Sequence, residues 1–587
     1  MPNLNKINMK YSLSYAIVFI VFLSGFQSAF AQREENIGTE VVNVVKPYTP
    51  TISDAFKVKE TPSLEDDDAM QKVPITYNIF SFPVASTFAP AKGRAAGVDR
   101  EERERLYKNY LTLGIGNYFN ANAELFVTEN VGESGYVGGM LRHFSSAGGI
   151  DELILDDKFM NTSLDLTYGN KQDRYSYLID GGFQHQIYNW YGIEQDYFDD
   201  ELDYDRVDPQ HTFYNFYVGG QIEMRESIFS KANLKFNRFS DSFDSAENRF
   251  YIKPSFNFDI ADTSINADFI VDYIGGSFEN DFQDISSIQY GYANFGFHPS
   301  FVINRDDWTI NLGAAAFYSI DTENSDNRFF IYPQINASLK VVGDLMVFYT
   351  GAEGSLDQNS YRDFTNENPF VSPTLFIAPT DRQYEIFAGL KGKLANSVSY
   401  NVRGSYMNEK NKPLFLNNSS PAPALFDNDL AGYQYGNSFG VVYDDVKTIN
   451  VFGEINADFS KNVSFGINAS FNKYTTDDQD EAWNLPAIRI GSSLDVTITK
   501  KWYAGADVFF VGEREDFKTY IGSAAFNGAE TLESYFDANA HVGYKHNDRL
   551  TGFLKFNNIA NQAYEKWIDY PVQRFQVLLG ASYKFDF

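Results

Sequence analysis

The stretch "FQVLLGASYKFDF", Phe575 to Phe587, closes the sequence on a strict alternation. Phe575, Val577, Leu579, Ala581, Tyr583, Phe585 and Phe587 form one set, and Gln576, Leu578, Gly580, Ser582, Lys584 and Asp586 form the other. A period of two with one apolar face is the pattern of a β-strand between two different environments. Chain ends ordinarily fray into water, so a strand kept to the last residue implies an ordered sheet that holds it. The pattern predicts that this strand pairs with the first strand of a closed barrel. Tyr583, Phe585 and Phe587 are then the closing residues and the candidate signal read by the barrel-assembly machinery.

At the other end, Lys6 and Lys10 precede an apolar run from Ala16 to Phe26, and Ala29-Phe30-Ala31 stands ahead of Gln32. This is the pattern of a secretory signal peptide over residues 1–31, too short in its apolar core to span a bilayer as a helix. No other stretch approaches the length of an apolar membrane helix. There is no cysteine, which excludes a disulfide framework, thiol chemistry and cysteine-ligated metals. Aromatic residues make up 17% of the chain, with 54 Phe and 39 Tyr, yet the mean hydropathy is only -0.34. A transmembrane barrel reconciles the two, because only every second strand residue faces lipid.

From about Leu111 the same unit recurs: some ten residues with alternating apolar positions, then a break. Ile265 to Tyr273, Tyr292 to Ile303, Ile310 to Ile320 and Val463 to Phe471 are examples. Short polar turns (304–307, 342–344, 394–397, 460–462, 499–501, 546–548) alternate with longer loops (189–210, 275–288, 357–381, 409–432, 477–485, 513–534). That asymmetry is expected of an outer-membrane barrel with tight periplasmic turns and roomier outside loops. The count gives an all-β, antiparallel transmembrane barrel of about 22 strands over residues 106–587, with 20 as the alternative. The uncertainty is local: Gly114 to Asn122 can hide a turn, and Tyr433 to Tyr443 reads as a strand or as the top of an outside hairpin.

The last hairpin, "LKFNNIANQAYEKWIDYPVQRFQVLLGASYKF" (Leu554 to Phe585), resembles the carboxyl end of TonB-dependent receptors, and "VFGEINADFSKNVSFGINASFNKY" (Val451 to Tyr474) resembles a hairpin of the same barrels. The resemblance covers most of Leu111 to Phe587. It implies a 22-stranded barrel, residence in the outer membrane with both termini in the periplasm, and transport across that membrane. It also implies a plug domain, which residues 32–105 are too short to supply. These residues read as an extended periplasmic segment, with Thr39, Glu40, Val41 and Val42 as the candidate energy-coupling segment. The alternative to transport is a plugless barrel that serves as a structural subunit of an outer-membrane complex. The partners expected are outer-membrane lipids and lipopolysaccharide, the assembly machinery, and either a TonB-type energy-coupling protein or an envelope complex bound through residues 39–105.

Chemistry is sparse. The six histidines lack the H-E-x-x-H spacing, and there is no G-x-S-x-G elbow or P-loop, so neither an enzyme nor a cofactor is expected. A net charge of -30 argues against nucleic acid as a partner. Two acidic clusters in outside loops, Asp199, Asp200, Asp203 and Asp205, then Asp477, Asp478 and Asp480, are candidate oxygen ligands for a hard cation such as Ca²⁺. Solvated loop surface is their plainer explanation.

Overall fold

The computed structural model describes residues 106–587 except 152, 194–203, 205–206, 261–262, 283–285, 420–429 and 520–527. The signal peptide, residues 32–105, the coupling segment 39–42 and the acidic cluster at 199–205 therefore lie outside the described residues. Twenty-two antiparallel strands form one sheet, each bonded to its neighbours in sequence, and the sheet closes on itself. The closing pair sets Asn109–Gly116 against Gln576–Phe585, with Leu111 opposite Tyr583 and Asn109 opposite Phe585. Closure is what lipid demands, since an open edge would leave backbone groups unpaired where no water can reach them.

The alternation seen in the sequence sorts onto the two faces of the wall. In Gln210–Met224 the side chains of Tyr214, Phe216, Val218 and Ile222 point outward and are exposed, while Asn215 and Tyr217 point into the lumen. In the closing strand Leu579 is 61% exposed on the outer face, and Ser582 accepts a hydrogen bond from Thr112 Oγ1 (3.0 Å) inside. Exposure at these positions means contact with hydrocarbon, which is the reverse of its meaning in a water-soluble protein.

Two details refine the sequence reading. The segment Gly114 to Asn122 does hide a turn: the first strand ends at Gly116 and the second, Ala121–Val131, begins after it, with Tyr118 and Phe119 at positive φ. Tyr433 to Ser438 belongs to a loop, and the strand begins only at Phe439. One expectation is corrected. The closing strand stops at Phe585 because its partner begins at Asn109, so Phe587 has no ladder opposite it. Asp586 instead accepts the backbone N–H of Lys108 (2.9 Å), and Phe587 packs edge-on against Phe585 at 5.4 Å.

Both the start of the first strand and the end of the last lie at the rim of the short turns. Many strands exceed what a membrane needs: Phe439–Ser460 has 22 residues, against roughly 9–11 for crossing hydrocarbon. The surplus carries the wall beyond the apolar belt toward the long-loop end, where it supports the loops. Leu166→Arg, on the lipid face of Phe159–Lys171, should lower barrel stability by about 2–4 kcal/mol, whereas Ser163→Arg on the lumen face should cost far less. Urea titration in lipid vesicles, read by gel mobility of folded and unfolded forms, checks the difference.

Candidate functional site

The long loops do not splay into water. Segment 358–379 turns back over the barrel mouth and opens with the helix Tyr361–Glu367. Ser360 caps it, accepting the Asp363 backbone N–H at 3.0 Å, and Asn368 ends it by donating its own N–H to the Phe364 carbonyl. Seven residues do not hold a helix in water, so docking has to hold this one. Tyr361, Phe364, Val371, Leu375 and Ile377 are all buried, in a core shared with Phe213, Phe239, Ile274 and Phe278 at the long-loop ends of wall strands. Each such side chain contributes about 1.5–3 kcal/mol when fully buried.

The docking has a polar half. Glu247, near the start of strand Ala246–Ile260, receives the backbone N–H of Tyr361 (2.6 Å) and the hydroxyl of Tyr290 (2.8 Å). Asp241, at the end of Phe229–Asp241, receives the Tyr361 hydroxyl (2.7 Å) and faces His211 Nε2 at 3.1 Å. Burial, then the neighbouring Asp241 carboxylate, push the Tyr361 hydroxyl well above the usual phenol range, so it remains a donor. Arg249 grips Asp272 with two bonds (2.7 and 2.9 Å) and reaches Asp363 on the helix at 3.4 Å. Two wall carboxylates thus clamp the first turn of the helix from its backbone and its side chain. Beneath it a cavity of about 260 Å³ lies between the helix and the wall.

Other loops lock the segment from above. The ring of Tyr570, from the last loop, stacks on Phe370 at 3.7 Å, and its hydroxyl donates to the Asn437 carbonyl. Trp190 Nε1 donates to the Phe370 carbonyl (3.1 Å), Tyr191 donates to Pro571 O (3.0 Å), and Ser372 N donates to Phe439 O (2.9 Å). A small hairpin, Arg514–Lys518 with Gly528–Leu532, adds Arg514 Nη2 to the carbonyls of Glu565 and Lys566 (both 2.6 Å) and Lys518 Nζ to Asp569 (2.8 Å). Asp516 in that hairpin is fully buried and accepts the backbone N–H groups of Phe517 (2.8 Å) and Asn417 (3.2 Å). Burial pushes its carboxyl up to about 6. The result is a lid at the long-loop mouth of the barrel, built from several loops around one aromatic core.

The residues singled out in the sequence are placed differently. Tyr583 and Phe585 sit in the closing pair, as above. Asp477 pairs with Lys447 (2.9 Å) on an exposed surface. The backbone N–H groups of Asp478 and Gln479 both donate to Asp444, which pins the loop, and Asp480 is exposed. Among the described residues no three His, Asp or Glu side chains gather to hold a metal ion. The lid residues were not singled out, although a signal existed: "FVSPTLFIAP" and "YEKWIDYP" are apolar and aromatic runs inside loops, where solvated chain would be polar.

No protein-family model matches the sequence, and no curated protein matches it. Solved structures do match. The ferric-catecholate import receptor Fiu of E. coli K12 superposes with a TM-score of 0.59 at 10% identity, covering 82% of each chain. The FrpB iron transporter of Neisseria meningitidis gives 0.62 at 10% identity, again over 82% of each chain. The pyoverdine outer membrane receptor FpvA of Pseudomonas aeruginosa PAO1 gives 0.60 at 12% identity, over 83% of this chain and 80% of the receptor. The chain therefore has the fold of the TonB-dependent receptor barrels, as its last hairpins imply.

The raised Asp516 carboxyl gives the lid a pH dependence. A carboxyl that prefers its neutral form when buried stabilises the folded lid fully below its ordinary value of 3.8, and that contribution is lost as pH rises through about 6. The difference is on the order of 3 kcal/mol. Proteolysis of the outside loops on intact cells should accelerate from pH 5 to pH 8 in the native chain. In Asp516→Asn, whose amide stays neutral, the acceleration should be smaller than in the native chain.

Proposed function

We propose that this chain is an outer-membrane barrel of the transport type whose outer mouth is shut by its own loops, so that passage requires the lid to release the wall. The observation that carries this reading is the clamp of helix Tyr361–Glu367 on Glu247 and Asp241, over a lumen lined by polar and charged side chains. A wide barrel left open would leak solutes across the membrane, and a loop lid solves that while leaving a polar path behind it. The fold shared with receptors that move iron chelates supports a transport role. The reading places the short turns and both termini in the periplasm and the lid outside. Residues 39–105 are proposed to meet a TonB-type energy-coupling protein, and Tyr583, Phe585 and Phe587 to be read by the assembly machinery. The acidic loop residues Asp477, Asp478 and Asp480 are read as solvated surface beside lipopolysaccharide. The reading requires no catalytic step.

A second reading is a non-transporting subunit of an outer-membrane complex. The number of bonds joining Phe370, Tyr570, Asn437 and Trp190 favours it, because a lid this interlocked can also serve as a permanent seal.

The chain has no cysteine, so a disulfide can be introduced without competition. Val371 and Phe439 form a backbone bridge between the lid and the start of strand Phe439–Ser460, and Val371→Cys with Phe439→Cys locks the two together. In a deletion strain grown on limiting iron or limiting glycans, the native chain should restore growth. The locked chain should restore it only after reduction. If the locked chain complements equally in both states, and the deletion weakens the envelope on every medium, the subunit reading replaces transport.

A further inference from the structure

Beneath the lid lies a second, larger cavity of about 620 Å³, set between the lumen wall and Arg362 on the underside of the helix. Its charge runs against that of the chain. Four cations line it, Arg142, Lys235, Arg362 and Lys555, against two carboxylates, Glu124 and Asp165, in a protein whose net charge is -30. Some cations elsewhere on the wall are neutralised at close range, as Arg249 is by Asp272 (2.7 Å), Lys253 by Asp268 (2.9 Å) and Arg403 by Glu385 (2.6 Å). Within the cavity Asp165 is already committed, bound by Arg142 (2.8 Å) and by the Tyr217 hydroxyl (2.6 Å). Glu124 stands opposite Arg142 in the strand register. Among the described residues Lys235 and Lys555 form no ion pair, and each lies over an aromatic ring, Tyr217 at 5.1 Å and Phe553 at 5.4 Å. Among the described residues the Arg362 side chain pairs only with its neighbour Asp363, at 3.9 Å, and its Nε is buried without a partner.

The remaining lining is rich in amides. Asn161, Gln184, Asn215 and Asn557 all face the cavity. Asn215 is 3% exposed, and among the described residues its buried Oδ1 has no hydrogen-bond partner. An unsatisfied buried acceptor costs free energy that a ligand hydroxyl recovers. Uncommitted cations call for an anion, and amides with a free acceptor call for hydroxyl groups beside it.

We propose that this chamber binds a small anionic polyol, a sugar carrying a carboxylate or a phosphate, with Lys235, Lys555 and Arg362 on the charge and the amides on the hydroxyls. Arg362 belongs to the lid helix, so the bound anion touches the segment whose release opens the mouth. The assignment rests on the transport reading for its purpose, but its test reads binding alone.

The full chain in detergent is titrated calorimetrically with galacturonate, glucose 6-phosphate, glucose and inorganic phosphate. Both charged sugars, or one of them, should bind, glucose should not, and inorganic phosphate should bind about tenfold more weakly than glucose 6-phosphate because it cannot use the amides. Lys235→Gln with Lys555→Gln should weaken the charged sugars by about tenfold or more. Heat-modifiable gel mobility reports whether that variant folds. Should it not, Arg362→Gln, which leaves the wall intact, takes its place with the same expectation. Equal binding of glucose and galacturonate, no binding of either charged sugar, or charged-sugar binding unchanged by the substitutions overturns the proposal. A chain that binds these sugars but does not complement growth keeps the site and loses transport. A chain that complements growth without binding them does the reverse.

Discussion

Lipid leaves a backbone no alternative partner, and the rest of the structure follows from that. With no water in the hydrocarbon to accept from N–H or donate to C=O, a sheet that crosses it must be closed. The pairing of Asn109–Gly116 with Gln576–Phe585 is therefore the bond on which the other strand pairings depend. It also explains the composition. A chain can be 17% aromatic and still average a mean hydropathy of -0.34 when its apolar residues are confined to one face of every strand.

Closure solves the wall and creates the problem of the mouth, where the barrel is open to water. The chain answers with residues of a different kind. At the strand ends joined by the long loops, inward positions change from polar to aromatic, as at Phe213, Phe239 and Phe278, and these receive a loop that carries its own apolar residues. Apolar burial alone does not fix how a short helix sits, because it is non-directional. Glu247 and Asp241 supply the direction, one gripping the first backbone N–H of the helix and the other its first side chain. Beyond Phe585 the same logic appears in miniature: once the partner strand runs out, Asp586 turns to the Lys108 N–H and Phe587 to the nearest ring.

The wall was legible in the sequence because a period of two is a local signal. Leu579, Tyr583 and Phe216 announce their face without knowledge of the strand opposite, and the contrast between short turns and long loops tells the two rims of the barrel apart. The lid was not legible in the same way. Tyr361 to Glu367 is too short to show a helical period. Its anchor Glu247 is 114 residues away along the chain, with nothing around it to distinguish it from other strand carboxylates. Phe370 and Tyr570, which stack at 3.7 Å, are separated by about 200 residues. What the sequence did carry was a discord, aromatic runs in segments otherwise read as loops, and that discord marks the site. The acidic clusters, which stand out to the eye, include Asp477, whose partner is an ordinary surface lysine.

Conductance of the full chain in planar bilayers tests the account most directly, comparing the native protein with Glu247→Ala combined with Tyr361→Phe, and each with and without residues 32–105. Chains with the native clamp should stay silent in both lengths, and loosening the clamp should produce opening events in at least the shorter one. Steady conductance from a native clamp, or silence in both lengths after the clamp is removed, would contradict the claim that this lid is what shuts the barrel.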